Sequence, residues 1–477
     1  MGRGLVCVGS GGAVRVAAPY FENLEHRTVN RLTVPEPEII LYETGFADVD
    51  QLGREATGKA LSDLVDRIED PMVIALDGGW GSGKSFFLKC WVGEHLKREG
   101  NTTQTVYFDA FANDFMDEPL VSLLACLLNR FESKDTVANP DLAVSRPRLE
   151  ALKETASKLR PAAVRMLTDI GAAVVKNYVG DLGDVFTDKM EEEIAKSTDG
   201  FWAAAQNQQN IMTEFGEAMK AVTIGPDGIP RKLVIVVDEL DRCRPDYALA
   251  LLEIIKHFFA VDHVHFVLGV NLRELENSVR ARYGGGINAG LYLQKFVTLT
   301  MGLSDTSNDH DNKKLSVKYF EEASADLGIH SNSRHLVVQI LNLMKDHRPL
   351  TLRAVQRIMV NLQISTMPSN SWEYQIEEEL AVATLAILKT LNPEIYANIH
   401  TGSIKLSNME ALFDLNENSG IASARLLETW QLFLDAESYS KRKSSELVAP
   451  LDQGKQLSHL LRLKVAHLET FKINNAH

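Results

Sequence analysis

The tightest constraint on this chain is a short stretch in which an apolar run stops at glycines and a helical pattern begins at once. Met72 to Leu76 is continuously apolar and is ended by Asp77, Gly78 and Gly79. So short a run, closed by glycine, predicts a strand buried on both faces of a parallel sheet. Gly78, Gly79, Trp80, Gly81, Ser82, Gly83, Lys84 and Ser85 then fit the spacing G-x-x-x-x-G-K-[ST]. Glycines let backbone N–H groups converge, and the positive end of the following helix adds to them, so such a loop holds a di- or triphosphate. Lys84 would neutralise the β and γ phosphates, and the Ser85 hydroxyl would take one position of an octahedral Mg²⁺. With Phe86, which follows directly, these residues form the candidate nucleotide-binding stretch.

The rest of the chain supplies the sheet that such a loop needs. Further strands are expected at Thr105 to Phe108, Leu233 to Val237 and His265 to Val270, with a final alternating run at Val297 to Met301. Helical patterns cover Leu52 to Ile68 and Ala248 to Phe259. Strands separated by helices imply a parallel, doubly wound α/β sheet. The run Leu233 to Val237 delivers two carboxylates, Asp238 and Glu239, at its exit. Burying unpaired carboxylates costs several kcal/mol each, so the pair is tolerable mainly where a divalent cation and a polar substrate receive it. Asp238 is then the metal-holding acid and Glu239 the group that polarises an attacking water, which favours hydrolysis over transfer. Asn271 ends the next strand, placed either to hydrogen-bond a γ-phosphate or the lytic water or simply to cap its strand. Arg242, Arg244, Arg280, Arg282 and Arg353 are the candidates for a guanidinium that stabilises the transferred phosphoryl.

Patterning divides the 477 residues into five parts. Residues 1–45 read as an extension, 46–130 and 230–305 as the two halves of a nucleotide-binding core, 131–229 as an inserted helical unit, and 306–477 as a helical C-terminal domain. The glycines at 9, 11 and 12 are not a dinucleotide fingerprint, because Val14 stands where the third glycine belongs and no strand fits upstream. In the insertion, Leu149, Leu152, Ala156, Leu159, Ala163, Met166 and Ile170 recur on one helical face, with a kink expected at Pro161. That stripe is expected to pack on the core or a partner helix, and Glu191 to Glu193 to be solvated.

Composition removes several classes of function. A net charge of −14 opposes non-specific attraction to polyphosphate backbones. Cys7, Cys90, Cys126 and Cys243 form no CxxC pair, which is the usage of a reducing compartment without a disulfide framework or zinc site. No stretch approaches the ~18 to 20 apolar residues of a spanning helix, and the N-terminus lacks a secretory apolar segment, so a cytoplasmic protein is expected.

The stretch Asp238, Glu239, Leu240, Asp241, Arg242, Cys243, Arg244 and Pro245 is much more specific than the phosphate loop, and with it the chain resembles the KAP family of P-loop NTPases. Supporting matches are Leu52, Gly53 and Arg54; Phe108, Asp109, Ala110 and Phe111; Arg282, Tyr283 and Gly284; and Tyr292, Leu293, Lys295 and Phe296. The resemblance implies a parallel sheet of the additional-strand type and Mg²⁺-dependent binding and hydrolysis of ATP. It also implies that Thr351, Leu352, Arg353, Arg357 and Asn361 correspond to the family's helical-domain arginine motif, with Arg353 sensing the γ-phosphate. Many members carry transmembrane helices between the two motifs, whereas the insertion here is polar, and many have aspartate where this chain has Asn271. Bacterial relatives often occur in phage-exclusion and other defence systems, so a nucleotide-controlled switch acting on partner proteins, in anti-phage defence, is implied by likeness, with homo-oligomers as a further expectation. The alternatives are a DNA-directed motor or loader, which the acidic charge disfavours, and a nucleotide-dependent scaffold with little turnover.

Overall fold

Five parallel strands form one sheet in the order β2-β3-β4-β1-β5, with β1 at Met72–Asp77, β2 at Gln104–Asp109, β3 at Leu233–Asp238, β4 at Val264–Val270 and β5 at Leu299–Gly302. The structure is a computed structural model and describes residues 32–133, 144–155, 210–258, 261–303, 315–344, 350–365, 375–415, 421–434 and 461–470, apart from 36, 51, 117, 211, 212 and 414. The expected α/β sheet is therefore present, and it is of the additional-strand type: β4 lies between the strand that leads into the glycine loop and the strand that carries the paired acids.

Alternation along the strands sorts their side chains onto two faces. Val73, Val106, Ile235 and Phe266 face a core shared with the helices Pro119–Phe131 and Pro245–Phe258. Ile74, Tyr107, Val236 and Val267 face the opposite core, filled by Phe87, Trp91 and Leu61 from the helices Lys84–Leu96 and Glu55–Arg67. With β3 and β4 buried along their whole length, both faces are covered, which is why these runs read as continuously apolar. The last expected strand, Val297 to Met301, is found at Leu299–Gly302, its start two residues later and its end one. Before it, Thr298 is tied to Val73 by main-chain and side-chain bonds of 2.9 and 3.1 Å, so the chain joins β1 before the strand proper begins.

Leu149 and Leu152 of the inserted stripe pack into the first core together with Phe215, Met219 and Val222. The remainder of that stripe, from Ala156 to Ile170 with Pro161, lies outside the described residues, as do Glu191 to Glu193, Cys7 and the glycines at 9, 11 and 12. A third core is built mainly from helices. It joins the helices Leu315–Asp326, Ser331–Leu343, Leu352–Ser365 and Gln375–Leu391, and it includes Leu52 from the segment ahead of β1. Among the described residues no helix is long and apolar enough to cross a membrane.

Two histidines are sealed in the sheet region. His265 on β4 and His95 on the helix Lys84–Leu96 are fully buried, and burial pushes both down to about 4. Neutral histidine is thus favoured in the folded state and the unfolded chain binds the proton first, so stability is complete above ~6.5 and falls as pH drops toward 4. Going from pH 7 to pH 5 should cost roughly 2 kcal/mol for each histidine. Thermal unfolding across that range checks it, with His265→Phe expected to flatten part of the slope.

Candidate nucleotide site

The glycine loop leaves β1 and turns back above the sheet. Gly81 and Gly83 hold φ of +77° and +87°, a region that residues with a Cβ rarely enter. Gly83 then caps the helix Lys84–Leu96, whose positive end faces the loop. Lys84 is buried, and its Nζ donates to the carbonyls of Gly78 at 2.6 Å and Gly79 at 3.3 Å. Burial lowers its pKa, while Asp241, Asp238 and Asp77 nearby hold the cation.

The carboxyl ends of the parallel strands align along one edge. Asp109 lies opposite Asp238, and Asp238 opposite Gly269. Asp238 is fully buried; its Oδ2 accepts from the Tyr107 hydroxyl at 2.6 Å and its Oδ1 from the Glu239 N–H at 2.9 Å. Burial raises the Asp238 pKa, and bonds from Tyr107, Ser85 and the Glu239 amide oppose the rise. Glu239 has a left-handed backbone, φ 59°, held by its N–H bond to the Gly269 carbonyl at 3.2 Å. A non-glycine residue there carries about 1–3 kcal/mol of strain, which persists only where surroundings over-determine it. The Ser85 hydroxyl donates to Glu239 Oε1 at 3.4 Å, and Arg242 pairs with the same oxygen at 3.1 Å. Burial raises the Glu239 pKa, and the Arg242 guanidinium works against it.

The loop and the acids thus line one cavity of about 370 Å³, which Trp80 to Phe86, Asp238, Glu239, Asp241, Arg242 and Arg353 share. Gly78 and Gly79 are outside its lining and act through the carbonyls that hold Lys84. Asn271 is also outside the lining. It stands at the start of the helix Leu272–Tyr283, where its carbonyl accepts from Leu275 N–H at 3.0 Å. Of the five candidate arginines, Arg242 and Arg353 reach the cavity; Arg244 donates to the Asp114 carbonyl at 2.7 Å, Arg280 pairs with Glu276 at 2.6 Å, and Arg282 is outside the lining.

Oxygen donors from Ser85 and Asp238, one of them a buried carboxylate, fit a hard divalent cation. Among the described residues no cluster of three or more His, Cys, Asp or Glu side chains could hold a metal. Mg²⁺ is usually held by one or two protein oxygens together with substrate phosphates, and Ser85 and Asp238 can supply those two.

Three positioning contacts were not visible in the spacing of residues. Trp80 Nε1 donates to Asp241 Oδ2 at 2.6 Å, pinning the glycine loop to the turn after β3. Tyr107 fixes Asp238 from a neighbouring strand. Gly269 is required because a Cβ there would strike the Asp238 carboxylate and would lie 2.5 Å from Leu88 Cδ1. An isolated glycine in an apolar strand was the one available signal, since it often marks a close approach. Gly269→Ala should cost about 1–3 kcal/mol of stability, measurable by denaturant unfolding, because both neighbouring side-chain ends are fully buried and Asp238 is also held by Tyr107, which leaves little room to give way.

A model of the KAP family P-loop domain matches residues 54–368. No curated protein matches the chain. Solved structures of the Aeropyrum pernix ORC2 protein, in ADPNP–ADP complexes and in the ADP form, share 12% identity with it. They cover 88% and 87% of this chain and 95% of their own, at a TM-score of 0.33, and a superposition that loose says nothing about this chain's ligands. The family match spans well over half of the chain, from Arg54 beside the glycine loop, through both motifs, to the helix that brings Arg353 to the cavity. This chain belongs to the KAP family of P-loop NTPases.

Proposed function

We propose that the protein binds ATP with Mg²⁺, hydrolyses it, and uses the cycle as a switch read by partner proteins. One observation carries the reading: Ser85 at the foot of the glycine loop meets the carboxylate pair of β3, so a phosphate-holding element and a water-activating element share one cavity. Ser85 and Asp238 would hold Mg²⁺, which supplies charge neutralisation at the β and γ phosphates when bound. Lys84 and the loop amides hold the phosphate chain, Glu239 takes the proton of the attacking water, and Arg353 adds positive charge at the γ-phosphate.

The switch rests on a backbone contact. Leu352 N–H donates to the Gly81 carbonyl at 3.0 Å, and a Cβ on Gly81 would lie 2.7 Å from Arg353 Cβ. The helical unit therefore touches the loop that phosphates would displace, and a change at the γ-phosphate has a direct route to it. Residues 306–477 are its output element in this reading, in the cytoplasm, and anti-phage defence is the setting that family likeness suggests.

Phosphate release from ATP by the purified protein is the direct test. Turnover in Mg²⁺ that EDTA abolishes and Mg²⁺ restores is expected, with no stimulation by DNA. DNA-stimulated turnover that collapses with salt would instead make the protein a motor or loader.

A further inference from the structure

β2 is the end strand of the sheet and pairs only with β3. Its outward-facing backbone groups have no neighbouring strand, and side chains take that place. Tyr107 N–H donates to the Tyr42 hydroxyl at 3.0 Å, the Cys126 thiol donates to the Tyr107 carbonyl at 3.2 Å, and Arg130 Nε donates to the Thr105 carbonyl at 3.3 Å. Leaving such groups unpaired away from water is costly, so these bonds fix the edge of the strand. Cys126 and Arg130 sit one turn apart on the helix Pro119–Phe131, whereas Tyr42 comes from the segment ahead of β1.

Tyr42 is held from several sides. Its backbone is left-handed, φ 72°, in a turn closed by bonds from the Glu43 and Thr44 N–H groups to the Ile40 carbonyl at 3.0 and 2.9 Å. A residue with a Cβ keeps that conformation only where its surroundings impose it. The Arg130 guanidinium lies over the Tyr42 ring, 3.7 Å from its centroid. The turn is also docked on the helix Lys84–Leu96: a Cβ on Gly93 would strike the Thr44 carbonyl, and Phe46 N–H donates to Glu94 Oε2 at 3.2 Å. None of residues 40–44 lines the cavity, so Tyr42 cannot touch a ligand there.

The side chain of Tyr107 carries this anchoring inward. Its hydroxyl donates to Asp238 Oδ2 at 2.6 Å, while Glu239 N–H donates to Oδ1 at 2.9 Å. Each carboxylate oxygen thus has one partner fixed, and the plane of the group is fixed with them. A short bond to a carboxylate is sensitive to distance and angle, and a tyrosine ring has two torsions with which to adjust. Where the Tyr107 backbone sits therefore decides where Asp238 points. Mg²⁺ demands near-ideal octahedral geometry, so the direction of that carboxylate matters to it.

Resting on the nucleotide reading above, we propose that Tyr42 is a positioning residue for the metal-holding carboxylate, acting from the far edge of the sheet through the Tyr107 backbone and the Tyr107 hydroxyl. Arg130 keeps the Tyr42 ring in place, and the turn 40–44 belongs to the metal site although it lies outside the cavity lining.

A non-hydrolysable ATP analogue titrated into the full chain, once in Mg²⁺ and once in EDTA, gives the gain in affinity that the metal supplies. Tyr107→Phe removes the bond to Asp238 and is expected to cut that gain by about tenfold or more, in the range found for groups that orient metal ligands. Tyr42→Phe keeps the ring under Arg130 and removes only the hydroxyl, and should cut the gain by about threefold or more. Affinity in EDTA should stay within about twofold of wild type in both, which also reports an intact fold. The double variant should lose no more than Tyr107→Phe alone, because Tyr42 acts only through Tyr107. A purely structural role for Tyr42 would weaken binding in EDTA as well, or add its loss to that of Tyr107→Phe, and either result overturns the proposal. So does a gain equal to that of wild type in either single variant. A wild type that binds the analogue equally in Mg²⁺ and EDTA would overturn the metal reading itself, and the proposal with it.

Discussion

Glu239→Gln is expected to slow phosphate release by about 10²- to 10⁴-fold while ATP affinity stays within a few-fold of wild type. The substitution keeps the side chain's shape and removes its negative charge and its capacity to take a proton. In the structure Glu239 is positioned by its own backbone, in the left-handed region with its N–H bonded to the Gly269 carbonyl, so the amide should occupy the same place. The Ser85 hydroxyl and the Arg242 guanidinium, at 3.4 and 3.1 Å from Oε1, can both donate to the amide oxygen. A bound but unhydrolysed nucleotide is the consequence, visible as prolonged ATP occupancy after a single turnover. Equal single-turnover rates in wild type and variant would remove Glu239 from the chemistry and favour a scaffold that binds without turning over.

Lys84→Ala should act earlier, at binding. An affinity loss of roughly 10²-fold for ATP, and phosphate release indistinguishable from background, is the expected result, read by titration and by phosphate assay. Lys84 is the cation at the foot of the glycine loop, desolvated and parked on the Gly78 and Gly79 carbonyls. A charge already stripped of water loses little more on meeting a phosphate, so its interaction is stronger than that of an exposed lysine. Alanine leaves two loop carbonyls without their donor and three nearby aspartates without their shared cation. Circular dichroism separates a binding defect from a folding one. Retained turnover in Lys84→Ala would mean that the activity does not belong to this loop.

The sheet was legible because each of its strands is either sealed or edged in a way that leaves a trace. Leu233–Asp238 and Val264–Val270 are buried along their length, and such strands are apolar without interruption. The exposed edge strand Leu299–Gly302 left a weaker alternating trace, and its start was read two residues early because Thr298 bonds β1 before the ladder begins. The phosphate loop and the acid pair were legible for a different reason: each is local, a run of neighbours whose chemistry does not depend on what is distant. Asn271 shows the limit. Its position at a strand end left a place in the crevice and a plain cap equally open, and the letters around it could not choose; it stands at the start of the helix Leu272–Tyr283, outside the cavity lining.

The amino-acid sequence determined the class of fold and the order of the two motifs that carry Lys84, Ser85, Asp238 and Glu239, since short-range periodicity and short-range chemistry are written in neighbouring letters. Only the tertiary structure decided that Trp80 grips Asp241, that Tyr107 holds Asp238, that Gly269 clears room for that carboxylate, and that Val34, Pro35, Pro37 and Ile39 reach the same cavity. Each of these joins residues from separate elements. The distance between them is set by strand order and by how two cores pack, and neither leaves a period or a spacing along a single chain.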